Sequence, residues 1–125
     1  MPEDDASIGD DEILLRRVAE NSVHWDEELR RQRPSTSAFR QDGPDGLVSV
    51  YLSSETTPAT VASGGPERYL ASITTGFLRA QGLGVIRDTT SGGPGHCVIT
   101  GRKTRGKLYP IACEAKWIEG YAPSC

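Results

Sequence analysis

Apolar positions in this chain fall into short clusters separated by Gly, Pro and hydroxyl residues, so the elements they predict are short. The clearest alternation is Leu47–Leu52, where Val48, Val50 and Leu52 face one way and Leu47, Ser49 and Tyr51 the other; period two predicts a strand. Ile13–Val18 is too short for periodicity to choose between strand and helix. His24–Arg31 reads as one or two helical turns with Trp25 and Leu29 on one face, stopped by Pro34. Tyr69–Gln81 holds Ser72, Thr74, Thr75 and Gly76, poor helix formers, and parses as a strand over Tyr69–Thr74 followed by a short helix. Thr75 is its expected cap and Gly82 its end, with Leu83–Ile86 leaving as a strand. His96–Thr100 is a further strand after the Gly92–Gly95 turn. Leu108, Ile111, Ala112, Ala115 and Ile118 recur at helical spacing, which predicts a C-terminal amphipathic helix with Pro110 in its first turn and Gly120 as its cap. The segments Pro34–Ser37, Asp42–Gly46 and Ser53–Pro66 read as loops, the last long enough to be functional or disordered. With no glycine-rich phosphate fingerprint, the alternation predicts an α+β fold: a small mixed or antiparallel sheet with short helices.

Composition refines this picture in two places. The chain has 125 residues with 14 Gly and 8 Pro, which suits one loop-rich domain. The net charge of -3 conceals an asymmetry: Glu3, Asp4, Asp5, Asp10, Asp11 and Glu12 precede Ile13 without a base. Residues 1–12 are therefore expected to be a solvated, disordered arm and 13–125 a single, mildly basic domain. A weaker reading folds the arm over the basic surface as a mimic of an anionic ligand. No apolar run approaches the ~20 residues of a membrane span and no signal peptide opens the chain, so a cytoplasmic protein is expected. Cys97, Cys113 and Cys125 lack metal-binding spacing; reduced thiols and no metal site are expected, with Cys97 and Cys113 buried.

Candidate chemistry gathers in three places. Arg33 offers a planar fork for phosphate or carboxylate, and Ser35, Thr36 and Ser37 add hydroxyls beside it. Without a GxSxG elbow or an identified base, nucleophilic catalysis by these serines has little support. His96 opens a strand after a Gly/Pro turn, so it is expected at the sheet rim with an accessible imidazole suited to proton transfer. His24 reads as surface packing. Arg102, Lys103, Arg105 and Lys107 form a basic cluster able to meet phosphates, though no aromatic platform accompanies it.

Taken in order, Arg33/Pro34/Ser35/Ser37/Phe39, Gly46–Val50, Gly82–Val85 and Pro94–Ile99 resemble a family of small uncharacterised bacterial proteins with an "RPSSxAF…GLSV…GLxV…PxHAxI" pattern. The resemblance spans Leu14 to Ile118 and implies domain limits and strand order, including strands at Leu14–Val18 and Tyr69–Thr74. Ser35-Thr36 departs from the serine pair of that pattern. Three functions are expected in rank order. The first is a bacterial binding or accessory module, without a cofactor, whose Arg33–Phe39 loop and His96 rim contact a protein partner or an anionic ligand. The second rests on element order, which resembles the ADP-ribosyltransferase-like folds, including the RES toxins and RNA 2′-phosphotransferases. It implies an enzyme handling NAD or RNA ends, with Arg16 or Arg17 and Ser35 or Ser37 holding NAD and Glu55 as the acid. The third is a nucleic-acid binder using Arg102–Lys107.

Overall fold

The computed structural model of the chain describes residues 2–40, 48–66 and 69–124. Its strands are β1 (Ile13–Val18), β2 (Val23–Asp26), β3 (Arg31–Pro34), β4 (Val48–Leu52), β5 (Tyr69–Thr74), β6 (Gly84–Arg87), β7 (His96–Thr100) and β8 (Lys116–Trp117). The helices are α1 (Pro58–Ser63), α2 (Thr75–Ala80) and α3 (Arg105–Glu114), with a 3₁₀ turn over Thr36–Phe39. Six strands form one antiparallel sheet in the order β6-β7-β4-β1-β5-β8, and β2 and β3 form a separate hairpin. The chain is an α+β protein, as the sequence pattern predicts.

Alternation along the central strands fixes what each face buries. Val48, Val50 and Leu52 join Leu14, Ala71 and Ile99 in the main core, closed by Phe39, α2 and the Leu108/Ile111 face of α3. Leu15, Tyr51 and Leu70 point to the opposite face, where Val61 of α1 covers them.

The pairing of β1 positions the site. It pairs with β5 along its whole length, from Ile13 opposite Thr74 to Val18 opposite Tyr69. With β4 it pairs only at Leu14–Leu52 and Leu15–Tyr51, while β4 continues along β7 to Val48–Ile99. Beyond Leu15, β1 and β4 part.

Several expectations are corrected. His24–Arg31 is a hairpin rather than a helix: Arg30 takes φ 54° in the turn, and the Asp26 carboxylate accepts the Leu29 N–H at 2.9 Å. Trp25 and Leu29 are exposed, so no core contact rewards the helical alternative. The Ser53–Pro66 loop contains α1, capped by the Thr57 hydroxyl on the Thr60 N–H and opened by Pro58. Thr74, not Thr75, caps α2. The C-terminal helix ends at Glu114 with Pro110 inside it. Ile118 is not on it: its N–H bonds the Leu70 carbonyl at 2.9 Å as the chain runs along β5. The Asp42–Gly46 loop, Leu47 and Cys125 lie outside the described residues.

The acidic arm also departs from expectation, because it packs on the domain. Ile8 enters the main core at 2 % exposure. The Asp5 N–H bonds the Val85 carbonyl, the Val85 N–H bonds the Asp4 carboxylate, and the Thr100 hydroxyl bonds the Glu3 carbonyl. Arg79 gathers Asp4 and Asp10 at 2.9 and 2.7 Å. One apolar residue and one well-placed guanidinium give the arm what its composition seemed to deny it: apolar burial and charge neutralisation.

Candidate functional site

The structure separates His96 from Arg33 and Ser35. Arg33 is buried: its Nε donates to Asp26 at 2.7 Å, its Nη1 donates to the Pro34 carbonyl, and its guanidinium stacks on Tyr109. Arg33 thereby holds the Asp26 carboxyl below its usual range, and the pair anchors the hairpin instead of presenting a fork to a ligand. Glu55 forms a two-pronged pair with Arg87 at 2.8 Å. The basic cluster is divided: Lys103 bends back to the Gly101 carbonyl and Thr104 caps α3, while Arg105 borders a hollow of about 490 Å³ together with Arg33, Ser35, Thr36, Trp25 and Tyr109.

His96 is 7 % exposed, not accessible at a rim. Gly92, at φ 88°, lies against its ring, where a Cβ would collide. Tyr51 stands across from it with ring centroids 5.2 Å apart. Nε2 of His96 is 3.0 Å from the Ser49 hydroxyl. Arg33 and Ser35 border one hollow, and His96 is not among the residues that line it, so the three do not form one contact face.

A different set converges where β1 and β4 part. Arg16 and Arg17 of β1, Ser22, Ser37 and Ser49 line a cleft of about 400 Å³. Arg16 spans the opening between the strands, donating from Nε to the Ala38 carbonyl at 2.8 Å and from Nη1 to the Ser49 carbonyl at 2.9 Å. Arg17 points to the other face of the sheet, where its guanidinium lies 5.2 Å from the Tyr51 ring centre and donates to the Val61 carbonyl near the end of α1. It also lines a second cleft of about 270 Å³, with Tyr51, Thr56, Thr60 and Gly92. On the loop side, the Ser35, Ser37 and Ser22 hydroxyls form a chain, at 2.6 and 3.3 Å.

Of the sequence candidates, Ser37 reaches this cleft directly and Ser35 supports it through Ser37. Arg16 and Arg17 were expected there only under the NAD reading. Ser22 was not singled out, and Ser49 and Tyr51 were read only as part of a strand face. A hydroxyl facing an apolar strand's partner face is the signal that could have marked Ser49. No group of three or more His, Cys, Asp or Glu side chains able to hold a metal occurs among the described residues, and no helix among them is long and apolar enough to cross a membrane. No protein-family model, curated protein or solved structure matches the chain.

Proposed function

We propose that the cleft between β1 and β4 binds a small ligand carrying a phosphate. The observation that carries this reading is that Arg16, Arg17, Ser22, Ser37 and Ser49 line one cleft where the sheet opens. Guanidinium groups and hydroxyls are the donor set that phosphate oxygens require, and arginine recognises them with two parallel bonds. The contacts of Arg16 with Ala38 and Ser49, and of Arg17 with Val61 and Tyr51, hold both side chains in place before a ligand arrives. Less side-chain freedom is then lost on binding. The reading moves the expected anion-binding role from Arg33 and His96 to Arg16, Arg17 and Ser37.

Calorimetric titration with pyrophosphate and with ADP tests it. Wild type should bind at least one of them, Arg17→Gln should weaken that binding about tenfold or more, as loss of a charge-assisted bond predicts, and Lys103→Ala should leave it unchanged. No binding of either ligand, or loss on Lys103→Ala alone, would overturn the reading.

The NAD-handling alternative draws support from Arg17 lining both clefts, as a residue that holds two parts of a dinucleotide would. Glu55 does not serve it, being paired with Arg87 and lining neither cleft. Nicotinamide release from NAD by the wild type, lost on Arg17→Gln, would favour this alternative.

A further inference from the structure

Ser49 and His96 lie on adjacent antiparallel strands, with Ser49 opposite Val98 and Tyr51 opposite His96. Residues two apart on a strand share a face, so Ser49 and His96 are diagonal neighbours, and their side chains meet at 3.0 Å. The other ring nitrogen, Nδ1, is buried without a hydrogen-bond partner and stands 3.5 Å from the Asp88 carboxylate. That carboxylate is fixed in turn: it accepts the Thr90 N–H and hydroxyl at 3.0 and 2.6 Å, while the Asp88 N–H bonds the His96 carbonyl. Hydrogen bonds from Thr90, and the nearby His96 ring, hold the Asp88 carboxyl below its usual range, so it stays ionised.

A histidine that only fills space is satisfied at both nitrogens, because an unpaired buried polar atom is costly. Here one nitrogen meets a hydroxyl, and the other faces an anion at a distance too long for a good hydrogen bond. Such contacts are often long before a ligand binds. The Asp88 contact strengthens when the ring gains a proton, which is what a base removing the Ser49 proton would do. Ser49 also lines the cleft between β1 and β4. The Arg16 guanidinium bonds the Ser49 carbonyl, placing positive charge beside the point of attack.

We propose that Ser49 is a nucleophile, with His96 as its general base and Asp88 as the residue that positions His96, and that the cleft hydrolyses carboxylic esters bearing an anionic group. The anionic-group requirement rests on the binding role proposed for Arg16 and Arg17; the nucleophile does not. The Ser49 Oγ forms a bond to the ester carbonyl carbon as its proton passes to His96 Nε2. The bond from that carbon to the alcohol oxygen then breaks, and the alcohol leaves with the proton from His96. Water, deprotonated by the same nitrogen, attacks the acyl-serine and releases the acid, restoring the hydroxyl.

The test uses a fluorophosphonate probe, which bonds an activated serine with loss of fluoride, and hydrolysis of 4-nitrophenyl hemisuccinate against neutral 4-nitrophenyl acetate. Mass spectrometry should place the adduct on Ser49, and the hemisuccinate should be the better substrate. Ser49→Ala should abolish both reactions, and Ser7→Ala should react as the wild type does. His96→Ala should slow labelling about 100-fold, and added imidazole should restore part of it, which a merely structural histidine would not allow. Asp88→Asn should lower kcat with KM little changed, because Asp88 touches the ring and not the ester. Pyrophosphate binding by each variant separates a lost base from a lost fold. A wild-type protein that binds pyrophosphate but forms no adduct, or one labelled on another residue, overturns the proposal. Unchanged labelling of His96→Ala does so too. Labelling of Ser49 without pyrophosphate binding or preference for hemisuccinate would uphold the nucleophile and remove the anion-binding reading.

Discussion

Removing the arm's anchor should destabilise the domain that its composition suggested was independent of it. Ile8 is 2 % exposed and packed in the main core. Truncating a buried isoleucine to alanine costs about 2–5 kcal/mol, the transfer term plus the cavity left behind. Shortening at Ile8 leaves the polar contacts of Asp4, Asp5 and Asp10 in place, so Ile8→Ala isolates the apolar share. Deleting residues 2–10 removes those contacts as well, but the freed Val85 backbone and Arg79 guanidinium return to water. Each therefore adds only about 1 kcal/mol or less. For a domain of this size, 1 kcal/mol moves the Tm by about 3–6 °C. A loss near 3 kcal/mol thus lowers it by roughly 9–18 °C. Thermal unfolding followed by circular dichroism, with urea titration for the free energy, reads both variants. A deletion variant melting within about 2 °C of the wild type would show that the arm contributes nothing to the fold and refute this reasoning.

The arm should also loosen in acid. Burial alone would raise the Asp4 carboxyl, but hydrogen bonds from the Val85 N–H and Arg79 hold it below its ordinary value of 3.8. Its contribution is full above that value and lost as pH falls through the lower, folded one. The Tm gap between wild type and Asp4→Asn should therefore narrow below about pH 4. Arg33→Ala, which leaves the Asp26 carboxylate buried beside no cation, should lower the Tm clearly while pyrophosphate affinity stays at the wild-type value; a loss of affinity at normal stability would return Arg33 to the site. Gly92→Ala should cost stability and shift the His96 ring resonances in NMR spectra, since its φ of 88° disfavours a side chain and the ring occupies the space. Unchanged ring resonances would contradict the packing of Gly92 on His96.

The sequence made the sheet legible wherever a strand's two faces differ in chemistry. Val48 to Leu52 and His96 to Thr100 lie where alternation and β-branching place them. It failed at His24–Arg31, because Trp25 and Leu29 fit a helical stripe and the turn depends on a left-handed Arg30 that no local residue type announces. It failed at the arm because one isoleucine decides the outcome, and composition averages over it. The site was harder still. Arg33 and His96 stood out by residue type, yet burial assigned the first to an ion pair within the hairpin and the second to a ring enclosed by Gly92 and Tyr51. Arg16, Arg17 and Ser49 line one cleft because β1 and β4 separate after Leu15, and strand divergence is a property of register that residue pattern alone does not encode.

The most direct measurement is a titration of isotope-labelled protein with pyrophosphate, following backbone amide and arginine side-chain resonances by NMR. The account predicts that the largest shifts fall on Arg16, Arg17, Ser22, Ser37 and Ser49, and that they disappear in Arg17→Gln. Shifts centred on Arg102–Lys107 or on the Trp25 hairpin, or none at saturating ligand, would contradict it.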